Sequence, residues 1–209
     1  MEGIDKGQVV QSRQIIDVLD DFVNPYEDYQ KYLGYAHSTD LEVVVSNTTE
    51  AGIVLDANDV DFSNCPTSFP GKLLAFLQER YNHFGGDMSK GLAIVPCELI
   101  DYNGQALKKV LNQLAEIRNM DRAFIDWLNN ANHFTDTLVD RIVPGYPRDT
   151  VEQIWQQTGF VDNNVVKGEV FHLWVLKKDE FIQSKLPADK SGLNAHSFLL
   201  LGNTHIKRR

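Results

Sequence analysis

The chain has 209 residues and a formal net charge of −9, with 43% hydrophobic and 23% charged residues. This composition is typical of a globular protein and excludes wholesale disorder, and the acidic balance argues against a nucleic-acid surface, which needs clustered Lys and Arg. Two cysteines, Cys65 and Cys97, predict neither a disulfide framework nor a Cys-x-x-Cys metal pair, and no signal-peptide core or membrane span is evident, so we expect a cytoplasmic protein.

The first part of the chain predicts a strand, a helix and a second strand. Residues 8–19 are rich in β-branched side chains and partly alternate, which is typical of a strand. Asn24-Pro25 predicts the start of a helix, with Asn24 as its N-cap. Val43–Val45 then form a short apolar run, which predicts a buried strand that empties into the polar segment Ser46–Glu50.

The middle of the chain continues this alternation of helices and strands. Ser68-Phe69-Pro70 predicts a helix start, and Gly85-Gly86 predicts its end. Residues 91–96 predict another buried strand, and a helix is expected from about residue 104 to residue 118. Alternating strands and helices predict right-handed crossovers and a parallel sheet, and therefore an α/β fold.

The last third contains shorter elements. Asp121 predicts the cap of a further helix, and residues 134–149 form an irregular segment with two prolines and a glycine. Residues 150–158 predict a short helix that ends at Gly159, and residues 165–176 contain a credible strand.

Two polar loops follow the apolar strands. In open α/β sheets ligands bind at the carboxyl ends of the strands, so the hydroxyls and amide of Ser46–Glu50 could fix a cofactor or substrate; the alternative is an ordinary polar turn. In the second loop, Asn103 could donate an amide hydrogen to a developing oxyanion while Gly104 permits close backbone approach. The alternative there is an Asn-Gly turn that leads into a helix.

The irregular segment offers a third candidate. Asp140 and Arg141 could form a buried ion pair, whereas Arg141 and Arg148 could instead bind a carboxylate, whose geometry a guanidinium fork matches. The sequence contains no Gly-x-Gly-x-x-Gly or Walker loop, and its six histidines show no metal spacing. The residues alone therefore indicate a site at the strand ends without giving a reaction.

Six segments of the chain carry a family resemblance when they are taken together: 46–53, 68–73, 96–104, 137–149, 171–174 and 189–194. In this order they resemble the polyol-specific long-chain (mannitol) dehydrogenase family, and within it the tagaturonate reductase (altronate oxidoreductase) branch. The resemblance covers roughly residues 1–194.

This resemblance implies an N-terminal Rossmann-type domain followed by a mainly helical C-terminal domain, with NAD as cofactor and no metal. It implies a soluble enzyme of hexuronate catabolism that interconverts D-tagaturonate and D-altronate, two sugar acids. By resemblance, Asn103 matches the asparagine that polarises the reacting oxygen, and Asp140 belongs to a shared Val-Asp-Arg signature. The loop beside the nicotinamide is matched by Ser46, Asn47, Thr48, Thr49 and Glu50. The carboxylate contacts of Arg141 and Arg148 are our own inference.

Two departures from the family pattern lead us to expect an incomplete piece. The first βαβ unit of the family, with its phosphate-binding loop, is missing. The motif that contains the family's general base, a lysine followed by four residues, Asn, two residues and His, is missing as well. We therefore expect a partial Rossmann-like parallel sheet in residues 1–149. Residues 150–194 are expected to form the remainder of that domain and a linker toward a helical domain. Residues 195–209 are expected to be an aberrant, loosely packed tail that results from a frameshift. The alternatives are a non-catalytic remnant and a mannitol- or fructuronate-type polyol dehydrogenase.

Overall fold

The computed structural model describes residues 1–5, 7–49, 51–59, 61–186 and 198–201, in which helices and strands alternate along the chain. Two single 3₁₀ turns, Tyr35–His37 and Met88–Lys90, accompany the regular elements. These elements are β1 (Glu2–Asp5), β2 (Gln8–Gln11), α1 (Tyr29–Gly34), β3 (Val43–Ser46), α2 (Phe69–His83), β4 (Ala93–Pro96), α3 (Asn103–Ile117), α4 (Arg122–Asn130), β5 (His133–Phe134), β6 (Thr137–Asp140), α5 (Val151–Thr158), β7 (Leu173–Lys177), α6 (Glu180–Lys185) and β8 (Phe198–Leu201).

The chain divides into two compact units. The smaller unit joins Met1–Asp20 to Asp140–Leu173, and the larger unit contains Asp21–Val139 and the described residues from Trp174 onward. The smaller unit holds the antiparallel hairpin of β1 and β2 and the helix α5. The larger unit holds the parallel sheet and the helices α1 to α4 and α6.

The sheet of the larger unit has the order β3-β4-β5, and its strands run parallel. Val43 pairs with Ala93, and Ser46 pairs with Pro96. Parallel strands need crossover connections, which α2 supplies between β3 and β4, and α3 with α4 between β4 and β5. The prediction of a parallel α/β sheet is confirmed.

The central strand β4 is buried on both faces, which explains its uninterrupted apolar sequence. One face carries Ile94 into the main core, built from the apolar stripes of α2, α3 and α4. The other face carries Ala93 and Val95 into a smaller cluster with Leu176 and Ile182. β3 lies at the edge of this three-stranded sheet, so Val43 and Val44 are half-buried and Val45 is 54% exposed; the prediction of a buried strand at Val43–Val45 is therefore wrong.

The start of α2 follows its sequence signals. The Ser68 hydroxyl accepts a hydrogen bond from the N–H of Gly71 at 3.0 Å, as an N-cap does. The carboxylate of Asp59 in turn accepts from the N–H groups of Thr67 and Ser68, at 2.8 and 2.7 Å. At the other end Gly85 and Gly86 have φ angles of +60° and +75°, which glycine adopts without strain.

The N-terminal predictions need correction. Of residues 8–19 only Gln8–Gln11 form a strand, and residues 12–23 have no paired strand among the described residues. Asn24 initiates a turn instead of a helix, since its carbonyl accepts from the N–H groups of Glu27 and Asp28. The helix α1 begins only at Tyr29, because the Asp28 carboxylate caps it by accepting from the N–H of Lys31.

A second sheet has the order β6-β7-β8, and β7 and β8 run parallel with Trp174 opposite Phe198. This pairing concerns the backbone of Phe198–Leu201, so the expectation of a loosely packed tail stays a prediction; the rest of the tail lies outside the described residues. Within the ranges that the structure covers, no helix combines the length and apolar character that a bilayer crossing requires.

Candidate functional site

The carboxyl ends of β3 and β4 lie side by side, so the polar loops that follow the two strands begin at the same edge of the sheet. The pairing of Ser46 with Pro96 sets this arrangement, and the N–H of Cys97 donates to the Ser46 carbonyl at 2.6 Å just beyond the last pair. Strand ends of this kind are where ligands bind in open α/β sheets. The two loops, Ser46–Thr49 and Cys97–Tyr102, therefore form one candidate site.

Glu98 joins these two loops. Its side chain is 2% exposed, and its carboxylate accepts hydrogen bonds from the Ser46 hydroxyl at 3.1 Å and from the N–H and hydroxyl of Thr48 at 3.1 and 3.0 Å. A buried carboxylate is costly unless such donors surround it. Ser46 and Thr48 thus stabilise the buried carboxylate of Glu98, and this carboxylate in turn holds their side chains in place.

Gly52 closes the first loop against Thr48. The N–H of Gly52 donates to the Thr49 carbonyl at 2.8 Å, and a Cβ atom on Gly52 would collide with the Thr48 hydroxyl oxygen. Only glycine leaves room for this approach. Thr48 is consequently held by Glu98 and packed against Gly52.

Asn103 is fully buried at the start of α3, and its amide is saturated with hydrogen bonds. Its Nδ2 lies 3.0 Å from the carbonyl oxygens of Pro96 and Glu98 and 3.2 Å from both oxygens of Thr137. Its Oδ1 accepts from the N–H of Thr137 at 2.8 Å and from that of Gly104 at 2.9 Å. The side chain therefore links the end of β4, the start of α3 and the start of β6.

The backbone around Asn103 explains the Asn-Gly sequence. Tyr102 adopts a left-handed φ of +56° and α3 begins directly after it, so the loop does lead into a helix as the structural alternative predicts. Gly104 is buried, and a Cβ atom there would collide with the Thr135 carbonyl oxygen. The close backbone approach predicted for Gly104 is confirmed, with the end of β5 as its neighbour.

A shallow cleft borders this network, between the loop after β4 and strand β6. Residues 98–101 line one side of it and Thr137–Val139 the other. Cys97, at the start of the loop, is 5% exposed, and burial raises the pKa of its thiol to about 11. A thiol with such a pKa stays protonated near neutral pH and is a poor nucleophile.

The structure places the residues of the predicted cofactor loop in different environments. Ser46 is buried, whereas Asn47, Thr48 and Thr49 are exposed. Glu50 lies outside the described residues. Among the other predicted residues, Asn103 is linked to this loop by way of Glu98: the Asn103 amide donates to the Glu98 carbonyl, and the Glu98 carboxylate accepts from Ser46 and Thr48.

Asp140, Arg141 and Arg148 belong to the smaller unit and are exposed. The predicted buried ion pair between Asp140 and Arg141 is wrong, because the Arg141 guanidinium instead donates to the Glu169 carbonyl from Nε at 3.1 Å and Nη2 at 2.9 Å. The Glu169 carboxylate accepts from the N–H of Ile142, which ties the two segments together.

Comparison with known proteins identifies the family to which the chain belongs. Residues 2–190 match the family model of the mannitol dehydrogenase Rossmann domain. The chain belongs to the mannitol dehydrogenase family. The Rossmann-type domain expected from the resemblance is thereby confirmed, and the candidate site lies where that fold places its ligands.

Curated relatives of this family member are altronate oxidoreductases. The chain is 44% identical over 195 residues to the altronate oxidoreductase of Phocaeicola vulgatus and 39% identical over 194 residues to that of Bacillus subtilis. In both alignments 93% of this chain is covered but only 40% of the relative. The chain thus spans about two-fifths of the length of the curated relatives that it matches.

Solved structures of the same fold come from two polyol dehydrogenases. A D-sorbitol dehydrogenase in substrate-free form has a TM-score of 0.61 at 21% identity, with 74% of this chain and 34% of that chain covered. The Pseudomonas fluorescens mannitol 2-dehydrogenase, in a ternary complex with NAD and D-mannitol, has a TM-score of 0.59 at 21% identity, with 73% and 32% covered. At this identity they establish the fold.

Glu98 and Thr137 are the central residues that sequence reasoning missed. A signal existed for Glu98, since an acidic residue directly after a buried strand is out of place unless it has partners. Those partners, however, lie 50 and 52 residues away along the chain. Thr137 carries no comparable signal, because its role depends on the approach of β6 to Asn103.

Proposed function

We propose that this chain is the dinucleotide-binding part of an NAD-dependent oxidoreductase that interconverts D-tagaturonate and D-altronate. The observation that carries the proposal is the 39–44% identity to altronate oxidoreductases across 93% of the chain. It is supported by the polar loop of Ser46–Thr49 at the carboxyl end of a parallel strand. A secondary alcohol is the group oxidised, and bound NAD supplies the hydride acceptor.

The residues of the candidate site fit a dinucleotide. Asn47 and Thr49 offer an exposed amide and an exposed hydroxyl beside the strand end, and such groups pair with the hydroxyl and carboxamide groups of a nucleotide. The buried Glu98 network beneath them fixes the loop without needing a ligand. The loop is therefore largely pre-formed, which lowers the entropic cost of binding.

For contacts to a sugar acid, the smaller unit offers three exposed charged groups. Arg141 and Arg148 are exposed guanidinium groups that suit the carboxylate of a sugar acid. Asp140 offers an exposed carboxylate at the end of β6. For Asn103 the saturated amide supports a role in holding the loop after β4, and its action on a reacting oxygen remains a prediction.

We also propose that the chain by itself does not turn over substrate. It contains no Lys, four residues, Asn, two residues, His motif, so it lacks the family's lysine base. General acid–base catalysis typically contributes about 10²- to 10⁴-fold to a rate.

Titration of the purified chain with NADH, followed by energy transfer from tryptophan to the nicotinamide, tests the proposal. We expect saturable binding, and no steady oxidation of NADH when D-tagaturonate, D-fructuronate or D-fructose is added. The absence of saturable NADH binding would contradict the proposed function. Steady turnover would refute the inactivity of the isolated chain, and a preference for D-fructuronate or D-fructose would point to the other specificities.

A further inference from the structure

Glu98 divides the side chains of the first loop into two groups. It takes the hydroxyl hydrogens of Ser46 and Thr48 and the N–H of Thr48, at 3.0–3.1 Å. Asn47 and Thr49 alternate with these anchored residues. Their side chains are exposed and form no hydrogen bond to any residue that the structure describes.

We propose that Glu98 is a positioning residue for the dinucleotide: by anchoring Ser46 and Thr48 it presents Asn47 and Thr49 to the ligand. This inference rests on the proposed function and deepens it. It assigns different roles to residues that the family resemblance treats as one binding loop. Ser46 and Thr48 hold the loop, and Asn47 and Thr49 contact the nucleotide.

Two physical arguments support this division. Ser46 ends β3, so the alternation of side chains along a strand directs Asn47 away from the side on which Ser46 contacts Glu98, and both Asn47 and Thr49 are exposed. Thr48 is also packed against Gly52, so its hydroxyl has little freedom to leave Glu98 and serve a ligand. Asn47 and Thr49 can make new hydrogen bonds without breaking the buried network.

Three variants separate positioning from contact. Glu98→Ala removes the anchor, so we expect faster amide hydrogen exchange in the peptide covering residues 43–53 and NADH binding weakened about tenfold, which is about 1.4 kcal/mol. Asn47→Ala removes a proposed contact, so we expect weaker NADH binding with unchanged exchange in that peptide. Glu98→Gln keeps an acceptor for the Thr48 N–H and can donate to the Ser46 hydroxyl, so we expect it to restore much of the affinity and slow exchange.

Asp59→Asn is the matched control for Glu98. Asp59 is also a buried carboxylate, 7% exposed, that accepts from backbone N–H groups, but it serves the start of α2. We expect Asp59→Asn to lower the free energy of unfolding, measured with urea, while NADH affinity and exchange at residues 43–53 stay as in the unaltered chain. If both variants weaken NADH binding alike, Glu98 acts through general stability and the inference is wrong.

The remaining outcomes distinguish this inference from the proposed function. Wild-type chain that binds NADH, with affinity unchanged in both Glu98→Gln and Asn47→Ala, would overturn the inference alone. Wild-type chain that does not bind NADH would overturn both. If Glu98→Ala does not fold, Glu98→Gln and Asn47→Ala decide: positioning requires that Asn47→Ala weakens binding more than Glu98→Gln.

Discussion

At the scale of single residues, the candidate site is held by buried polar side chains whose hydrogen bonds are met. Glu98 receives three donors, and Asn103 contacts backbone and side-chain groups of three segments. In a low-dielectric interior an unpaired polar group is costly, so removing one partner penalises the groups left behind. These side chains should therefore matter more for stability than their small size suggests.

Asn103→Ala tests this expectation. The variant leaves the N–H groups of Thr137 and Gly104 without their acceptor, and an unsatisfied buried group costs about 1–3 kcal/mol. We expect the free energy of unfolding, measured with urea, to fall by about 3 kcal/mol or more. The matched control, Asn130→Ala, alters an exposed asparagine on α4, and we expect it to change the free energy of unfolding by about 0.5 kcal/mol or less. Equal effects in the two variants would refute the structural role of Asn103.

The residue-level predictions succeeded where the information was local. The loop positions after β3 and β4 followed from apolar runs that end in polar residues, and the close approach at Gly104 followed from its place after Asn103. Glu98 was missed because its burial results from the pairing of β3 with β4, which brings Ser46 beside Pro96. The Asp140–Arg141 pair failed because the Glu169 carbonyl, 28 residues further along, competes for the guanidinium.

At the scale of elements, long periodic segments such as α2 and α3 were predictable because one apolar stripe and clear end signals define them. Short strands were not: β1 and β2 have four residues each and exist through their mutual pairing. The start of α1 shows local competition, since both Asn24 and Asp28 can cap a helix. Asp28 wins because its carboxylate accepts from Lys31, while Asn24 closes a turn.

The start of α2 predicts a pH dependence of stability. Burial alone raises the pKa of Asp59, but hydrogen bonds from Ser68 and Thr67 outweigh it, so the net pKa is lowered. A carboxylate with a lowered folded-state pKa contributes stability above its unfolded pKa, about 3.9, and loses it as the pH falls through the folded-state value. We expect the free energy of unfolding of the wild type to decline more steeply below about pH 4 than that of Asp59→Asn. Identical acid profiles would contradict this coupling.

At the scale of the whole molecule, the larger unit brings two polar loops together at one edge of its parallel sheet. The carboxyl ends of β3 and β4 emerge together, Glu98 joins their loops, and Asn103 ties them to the start of β6. The α/β class and the parallel sheet were predictable from the alternation of helices and strands. The division into two units was not, because Met1–Asp20 and Asp140–Leu173 are distant in sequence and associate only through tertiary contacts.

We propose that the dinucleotide binds at the edge formed by the loops after β3 and β4. This proposal is tested by amide hydrogen exchange of the wild-type chain, compared peptide by peptide with and without saturating NADH. We expect NADH to slow exchange chiefly in peptides covering residues 43–53 and 97–104. Slowed exchange confined to residues 141–172, or saturable NADH binding with unchanged exchange in both loops, would contradict it.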